Sequence, residues 1–177
     1  MKRKILCFLF ALVSLNLLIA ETMINNQKKI NLYEFYENPF NNRESFPRWF
    51  DDYLQLKSYY SNYEIEDTEI LNKYTQEKDK EITIKSSEET FIYYLRSFDG
   101  KIFRTISVFD SFDNLKHGFN KEMTTSEIIK TCGEKYNNTE LKNNYDLQYN
   151  LNEGGTIHFL IDKSTKKLYR IVFMAEL

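Results

Sequence analysis

The chain has 177 residues, which suits one domain or two small fused halves. Its 24 basic and 26 acidic side chains give a net charge of −2. This balance argues against a nucleic-acid-binding protein, because such binding depends on Lys and Arg neutralising phosphates.

The first 20 residues have the organisation of a secretory signal peptide. A basic start, Lys2 to Lys4, precedes an apolar run that ends at the small residue Ala20. We therefore predict an exported protein, periplasmic or extracellular, cleaved after Ala20 and left without a stable membrane span. The alternative is an uncleaved membrane anchor, since the apolar run approaches the about 20 residues that a spanning helix needs.

Cleavage would change both the charge and the cysteine content of the chain. Residues 1–20 contain three basic and no acidic side chains, so the remainder has a net charge of −5. They also contain Cys7, which leaves Cys132 alone and excludes an intramolecular disulfide. Cys132 shares an apolar helical face with Ile128 and Ile129, which favours a small buried hydrophobe. A thiol that forms an intermolecular bridge is the alternative.

Residues 21–44 are rich in Asn and Lys, and we interpret them as a loosely ordered N-terminal arm. Ser45 is a favoured N-cap residue, and Pro47 suits a first helical turn. Apolar residues then recur at helical spacing, which predicts a helix over 46–56. Aromatic residues of the arm are candidates to pack onto the domain: Tyr33, Phe35, Tyr36 and Phe40.

Two parts of the chain, 45–110 and 111–177, resemble each other. Short matches recur in the same order, which predicts a tandem duplication whose units bury their apolar faces against each other. The matched segments are 56–60 with 115–119, 68–71 with 126–129, 92–95 with 157–160, and 101–104 with 167–170.

Each unit is predicted to contain one helix followed by three strands. The helices are expected at 68–76 and at 126–131, the second capped by Thr125 or Ser126 and ended by Gly133. Segments rich in β-branched and aromatic residues predict strands at 81–85, 90–97, 101–109, 145–151, 156–162 and 167–175. Short turns favour antiparallel pairing. The predicted fold class is α+β: two tandem repeats of a helix plus a three-stranded antiparallel sheet, with the helices on one face of the sheet.

Residues 122–134 contain Met-Thr, a helix with an acidic residue and paired aliphatic residues, and then Gly-Glu. With the strands that follow, this pattern resembles the small repeat shared by β-lactamase inhibitor proteins and by the small lipoprotein (SmpA/OmlA-type) of the outer-membrane β-barrel assembly machinery. The inhibitor family has two such repeats in tandem. Over residues 56–175, the resemblance implies helices packed behind a sheet whose concave face grips a partner protein. The matching motif is scaffold, so it assigns no functional residue.

The chemistry-bearing residues do not form a recognisable catalytic or metal-binding set. His117 and His158 lack the spacing of paired metal ligands, so we predict no metal site and no cofactor. The acidic pairs fall at predicted helix starts or turns, where they cap or are solvated: Asp51-Asp52, Glu66-Asp67 and Glu88-Glu89. We therefore predict a non-enzymatic protein; a hydrolase with an unrecognised site is an alternative.

Aromatic residues are abundant, with 14 Phe, 13 Tyr and one Trp. The predicted strands are apolar on both faces, so one face is expected to pack on helices and the other to meet solvent. Tyr combines apolar area with a polar tip and is enriched at interfaces. The candidate binding residues are Tyr93, Tyr149 and Tyr169, with Tyr94 beside them. The alternative is burial of these rings by the arm or by the other repeat.

Arg104 and Arg170 occupy equivalent positions in the two predicted repeats and complete the candidate set. Two matched arginines in apolar rows could anchor a carboxylate-bearing partner, or each could form a structural ion pair with a nearby Glu or Asp. The predicted function is an exported, non-enzymatic envelope protein that binds a protein partner through an aromatic-rich sheet face. The second hypothesis is a periplasmic carbohydrate or small-ligand binding protein that uses aromatic rings as stacking platforms.

Overall fold

A computed structural model describes residues 29–152 and 154–175. The predicted signal peptide lies outside these residues. The α-helices are α1 (Leu32–Glu37), α2 (Tyr53–Tyr59) and α3 (Thr125–Cys132), and a 3₁₀ turn spans Lys116–Gly118. The strands are β1 (Trp49–Phe50), β2 (Glu64–Leu71), β3 (Lys78–Lys85), β4 (Glu89–Leu95), β5 (Ile102–Phe109), β6 (Asn137–Glu140), β7 (Asn144–Asn150), β8 (Thr156–Asp162) and β9 (Leu168–Met174). Within the described ranges, no helix has both the length and the apolar character needed to cross a membrane.

All nine strands belong to one antiparallel sheet with the order β2-β3-β4-β5-β9-β8-β7-β6. Two four-stranded meanders therefore meet where β5 pairs with β9, from Ile106 opposite Met174 to Phe109 opposite Ile171. The short strand β1 pairs with the first part of β5. Strands β2 and β6 form the two edges of the sheet.

The predicted fold class, α+β with two tandem helix-plus-three-strand repeats, is wrong. The chain forms a single sheet, and its described α-helices have only six, seven and eight residues. The helix predicted at 68–76 is instead part of strand β2 and the turn after it. The match between 68–71 and 126–129 therefore aligns a strand with a helix.

Complementary charges explain why β2 is a strand. In register with β3, its acidic side chains lie directly or diagonally across from lysines. Lys85 pairs with Glu66 at 2.9 Å, and Lys78 pairs with Glu69 at 3.1 Å. Opposite charges across neighbouring strands stabilise the pairing, and they also make this edge strand polar. The helical spacing of its few apolar residues is overridden by this pairing.

The helix predicted over 46–56 is also misplaced. The backbone N–H of Arg104 donates to the carbonyl oxygen of Arg48 at 2.7 Å, which holds this segment against β5 as strand β1. Helix α2 begins only after Asp52, whose carboxylate accepts hydrogen bonds from the backbone N–H groups of Leu54 and Gln55. Asp52, rather than Ser45, is therefore the N-cap.

The other predicted elements agree closely with the structure. The six predicted strands correspond to β3, β4, β5, β7, β8 and β9, with ends that differ by at most three residues. Helix α3 begins one residue earlier than its predicted cap allows, after Thr124, and Gly133 ends it. The carboxylate of Glu127 accepts a hydrogen bond from the Thr124 backbone N–H at 2.7 Å. Strand β6 was not predicted, because its four residues are all polar and exposed.

The helices and the N-terminal segment cover one face of the sheet. The arm crosses the centre of this face, where β5 meets β9. The Phe35 and Tyr36 rings lie 5.3 and 5.4 Å from that of Phe173, and the Phe40 ring lies 5.7 Å from that of Phe109. All five residues are at most 2% exposed. The arm therefore forms part of the core between residues 35 and 40.

Gly155 allows the closest backbone approach in this sheet region. Its φ is +98°, and a Cβ would lie 2.8 Å from the carbonyl oxygen of Met174. Gly100 has a φ of +70° but open space around it. We expect Gly155→Ala to lower the free energy of unfolding by about 2–4 kcal/mol and Gly100→Ala by only about 1 kcal/mol, measured by urea denaturation. Equal losses would contradict the close approach.

Candidate functional site

The face of the sheet opposite the helices and arm is here called the open face. Aliphatic side chains from β4, β5 and β9 form a stripe at its centre, with Ile92 opposite Ile106, Ile106 opposite Met174, and Val108 opposite Val172. These five residues are the aliphatic stripe. Met174 is 41% exposed, and the other four are half-buried. The described helices contribute their buried residues to the core on the other side.

An aromatic row lies beside the stripe. Tyr94 on β4 and Trp49 on β1 are both directly opposite Phe103 on β5. Directly opposed side chains of antiparallel strands point to the same face with Cβ atoms about 5 Å apart. Trp49 is 60% exposed and is the chain's single tryptophan. Three neighbouring strands thus present three aromatic side chains side by side on the open face.

A groove of about 680 Å³ adjoins this row. Its volume is in the range of pockets that bind small molecules. Tyr74, on the turn between β2 and β3, is 98% exposed, and Leu71 is 60% exposed. Exposed apolar side chains on two sides make the groove a candidate binding site. It is lined by Leu71, Asn72, Lys73, Tyr74, Tyr94, Arg96 and Phe103.

A buried carboxylate holds the walls of the groove together. Asp79 is 1% exposed and accepts hydrogen bonds from the Ser97 backbone N–H and hydroxyl and from the Asn72 amide, each at 2.8 Å, and from the Tyr94 hydroxyl. These bonds, led by that from the Ser97 backbone N–H, hold the pKa of Asp79 well below its usual range. The ionised carboxylate thus connects the β2–β3 turn to the end of β4.

The same network orders the turn that carries Tyr74. The side-chain oxygen of Asn72 accepts hydrogen bonds from the backbone N–H groups of Tyr74 and Thr75, at 3.0 and 3.2 Å. An asparagine that caps its own turn in this way fixes the backbone locally. The exposed ring of Tyr74 is therefore attached to a rigid turn.

Arg96 also lines the groove. Its guanidinium lies 4.6 Å from the ring centroid of Phe103 and 4.8 Å from that of Phe98. Both of its bonded nitrogens, Nε and Nη2, donate to the carboxylate of Asp99. Stacking and ion pairing together orient this cation at the edge of the aromatic row.

The structure places three of the five predicted binding residues in the core rather than on a binding surface. Tyr93, Arg104 and Tyr149 are 0%, 4% and 2% exposed. The hydroxyl of Tyr93 donates to the carbonyl oxygen of Pro47 at 3.1 Å. The hydroxyl of Tyr149 donates to the carbonyl oxygen of Gly133 at 2.9 Å. Burial raises the pKa of Tyr93 to about 12.

Arg104 binds the N-terminal part of the chain. Its guanidinium donates to the carbonyl oxygens of Phe46 at 3.0 Å, and of Pro47 and Tyr36 at 3.4 Å. It also lies 3.6 Å from the ring centroid of Phe46. Burial lowers the pKa of Arg104 from its ordinary value. This arginine is thus surrounded by backbone carbonyls and rings, with no described carboxylate in hydrogen-bond contact.

Tyr169 and Arg170 remain partly exposed, on β9. Arg170 donates from Nε to the carboxylate of Asp110 at 2.7 Å, which corresponds to the structural ion pair considered as the alternative. The pairing of β8 with β9 shifts at Tyr169, which therefore occupies a β-bulge. The predicted set is split between two faces of the sheet.

The groove was missed because several of its residues were assigned to helices. Leu71 and Tyr74 fall in the segment predicted as a helix at 68–76, and Trp49 in the helix predicted at 46–56. The charge complementarity of β2 and β3, and Asn72 at the turn, are the sequence signals that indicate the hairpin. Tyr94, named beside the candidate tyrosines, is the one groove residue in that prediction.

The other end of the open face is polar. His158 contacts the carboxylate of Asp146 through Nδ1 at 2.9 Å and the hydroxyl of Thr156 through Nε2 at 2.8 Å. Both ring nitrogens of His158 are therefore satisfied by neighbouring side chains. Among the residues with described positions, no group of three or more potential ligands is arranged for a metal ion.

Cys132 is buried and unpaired in the described structure. Burial raises the pKa of its thiol to about 12, so the reactive thiolate is scarce at neutral pH. This environment agrees with the interpretation of Cys132 as a small buried hydrophobe.

Comparison with protein-family models, curated proteins and solved structures finds no match to this chain. The resemblance of residues 122–134 to the inhibitor and lipoprotein repeat therefore stays a prediction.

Proposed function

We propose that this chain is an exported, non-enzymatic protein of the cell envelope that binds a protein partner through the open face of its sheet. The observation that carries the proposal is the aliphatic stripe, which lies beside a partly exposed aromatic row. Contiguous exposed apolar surface is uncommon on monomeric proteins and marks interaction sites. Export rests on the signal-peptide pattern of residues 1–20.

The composition of the open face supports a protein partner. Interface cores are enriched in aromatic residues, Met and Arg and depleted in charged residues. The stripe and row together contain Met174, Trp49, Phe103 and Tyr94, with Arg96 at the rim. The row lies on three paired strands, whose backbone is already ordered. Binding of a partner therefore costs little backbone conformational entropy.

We test this function by crosslinking in intact host cells that express the tagged full-length chain. The double variant Ile106→Lys, Met174→Lys places two charges on the stripe. We expect it to reduce recovery of the dominant crosslinked partner at least about tenfold, because each unpaired charge at an apolar interface is costly to desolvate.

The matched control is Leu54→Lys, which adds a charge at an apolar side chain that is 78% exposed on helix α2. Circular dichroism of the purified variants must show retained folding. A partner that is recovered equally with the double variant and with the wild type would refute binding through the stripe.

The groove favours a second function, a carbohydrate or small-ligand binding protein. Trp49, which the sequence placed on a helix, instead extends an aromatic row on an open sheet face. Such a row is a stacking platform for a flat ligand. Titration of the purified chain with candidate ligands, followed by the fluorescence of Trp49, tests this function independently of any protein partner.

A further inference from the structure

The charged residues that line the groove are both cations. Lys73 and Arg96 line it, and none of the lining residues that the structure describes carries a carboxylate. Asp79 lies beneath the lining, with its carboxylate bound by donors from three residues. Arg96 is paired with Asp99. Lys73 makes no ion pair with a described residue, so its charge is available to a ligand.

The remaining lining is dominated by rings. Tyr94 and Phe103 belong to the aromatic row, and Tyr74 stands almost fully exposed beside them. Aromatic faces attract flat apolar bodies, and cations at the rim attract an acidic group. Neither feature alone selects a ligand, but together they define one chemical class.

We infer that the groove binds a ring-bearing organic anion, with its ring against the aromatic side chains and its acidic group toward Lys73 and Arg96. This inference rests on the second function proposed above, small-ligand binding. The Asp79 network fixes both the turn of Tyr74 and the position of Tyr94 before any ligand arrives. A site ordered in advance loses less conformational entropy on binding.

The test uses two dyes that differ by one charged group. Anilinonaphthalene sulfonate carries an aromatic body and a sulfonate, and N-phenyl-naphthylamine is the uncharged counterpart. Trp49 is the chain's single tryptophan and lies opposite Phe103, so energy transfer from Trp49 to a dye reports binding near the row. We expect the full-length chain to bind the sulfonate about threefold to fivefold more tightly than the uncharged dye, the size of a contribution from one exposed cation, because the charge of Arg96 is paired with Asp99.

Substitutions distinguish the contribution of the charged residues to dye affinity from that of the aromatic rings. Lys73→Gln is expected to weaken binding of the sulfonate about threefold to fivefold and to leave the uncharged dye unaffected. Tyr74→Ala is expected to weaken both dyes, and folding is preserved because the ring is 98% exposed. Lys121→Gln, at an exposed lysine outside the groove lining, is the matched control and should change neither affinity.

The outcomes distinguish the inference from the function on which it rests. Equal affinity for the two dyes, with both weakened by Tyr74→Ala, would overturn the anionic class and keep a small-ligand groove. Absence of energy transfer from Trp49 with either dye would overturn both. Binding that responds to the stripe variant Ile106→Lys but not to Tyr74→Ala would also overturn the inference, because the dye would then lie on the stripe.

Discussion

Arg104→Ala is expected to lower the free energy of unfolding by about 3–5 kcal/mol. The guanidinium of Arg104 donates to the carbonyl oxygens of Phe46, Pro47 and Tyr36. Its removal leaves the buried carbonyl oxygens of Phe46 and Tyr36 without this donor and opens a cavity beside the Phe46 ring. The segment that carries these carbonyls also covers the centre of the sheet, so its loosening would expose further core. Urea denaturation followed by far-ultraviolet circular dichroism measures the loss.

Arg170→Ala is the matched control for this prediction. Arg170 is half-buried, and both side chains of its ion pair with Asp110 are about 40% exposed. Partly exposed ion pairs contribute little, so we expect a loss of at most about 1 kcal/mol. If the two alanine variants were equally stable, Arg104 would not have the structural role that its contacts indicate.

Asp79→Asn is expected to lower the free energy of unfolding by about 2–3 kcal/mol at pH 7. The carboxylate of Asp79 accepts from donors on Asn72, Tyr94 and Ser97. An asparagine amide turns one of these acceptors into a donor that faces other donors. Glu66→Gln, which removes an exposed ion pair with Lys85, should cost no more than about 0.5 kcal/mol.

The effect of Asp79 should depend on pH with a definite sign. Its pKa is lowered in the folded chain from an ordinary value of 3.8, mainly by hydrogen bonds. Its stabilisation is therefore complete above the unfolded pKa and is lost as pH falls toward the folded pKa. The stability difference between the wild type and Asp79→Asn should be constant from about pH 5 to 7 and should shrink below about pH 4. A difference that grew on acidification would refute a lowered pKa.

Elements whose local pattern agrees with their packing could be predicted from the amino-acid sequence alone. Strands β3, β4, β5, β7, β8 and β9 are rich in β-branched and aromatic residues, and this composition predicted them. Helix α3 has its glycine stop at Gly133 in the sequence. The aromatic residues of the arm also indicated a segment able to pack onto the domain.

The remaining elements depend on tertiary contacts, because they are stabilised by strands distant in the sequence. Strand β2 has few apolar residues and is stabilised by β3, and β1 is held by β5. Pairing of β5 with β9 joins the two meanders into one sheet, which no local pattern predicts. The predicted repeat of one helix and three strands was wrong because it rested on local patterns, which do not include these distant pairings.

The composition of the candidate binding surface also depends on tertiary contacts. In a strand, successive side chains point to opposite faces of the sheet, and this can be predicted from the sequence. Which of the two apolar faces the helices cover cannot be predicted in this way. The arm and helices cover the face of Tyr93, Arg104 and Tyr149, which buries those side chains. The opposite face keeps Tyr94, Phe103 and Trp49 in contact with solvent. The sequence thus determined that aromatic residues would line the sheet, and tertiary packing selected which of them a ligand can reach.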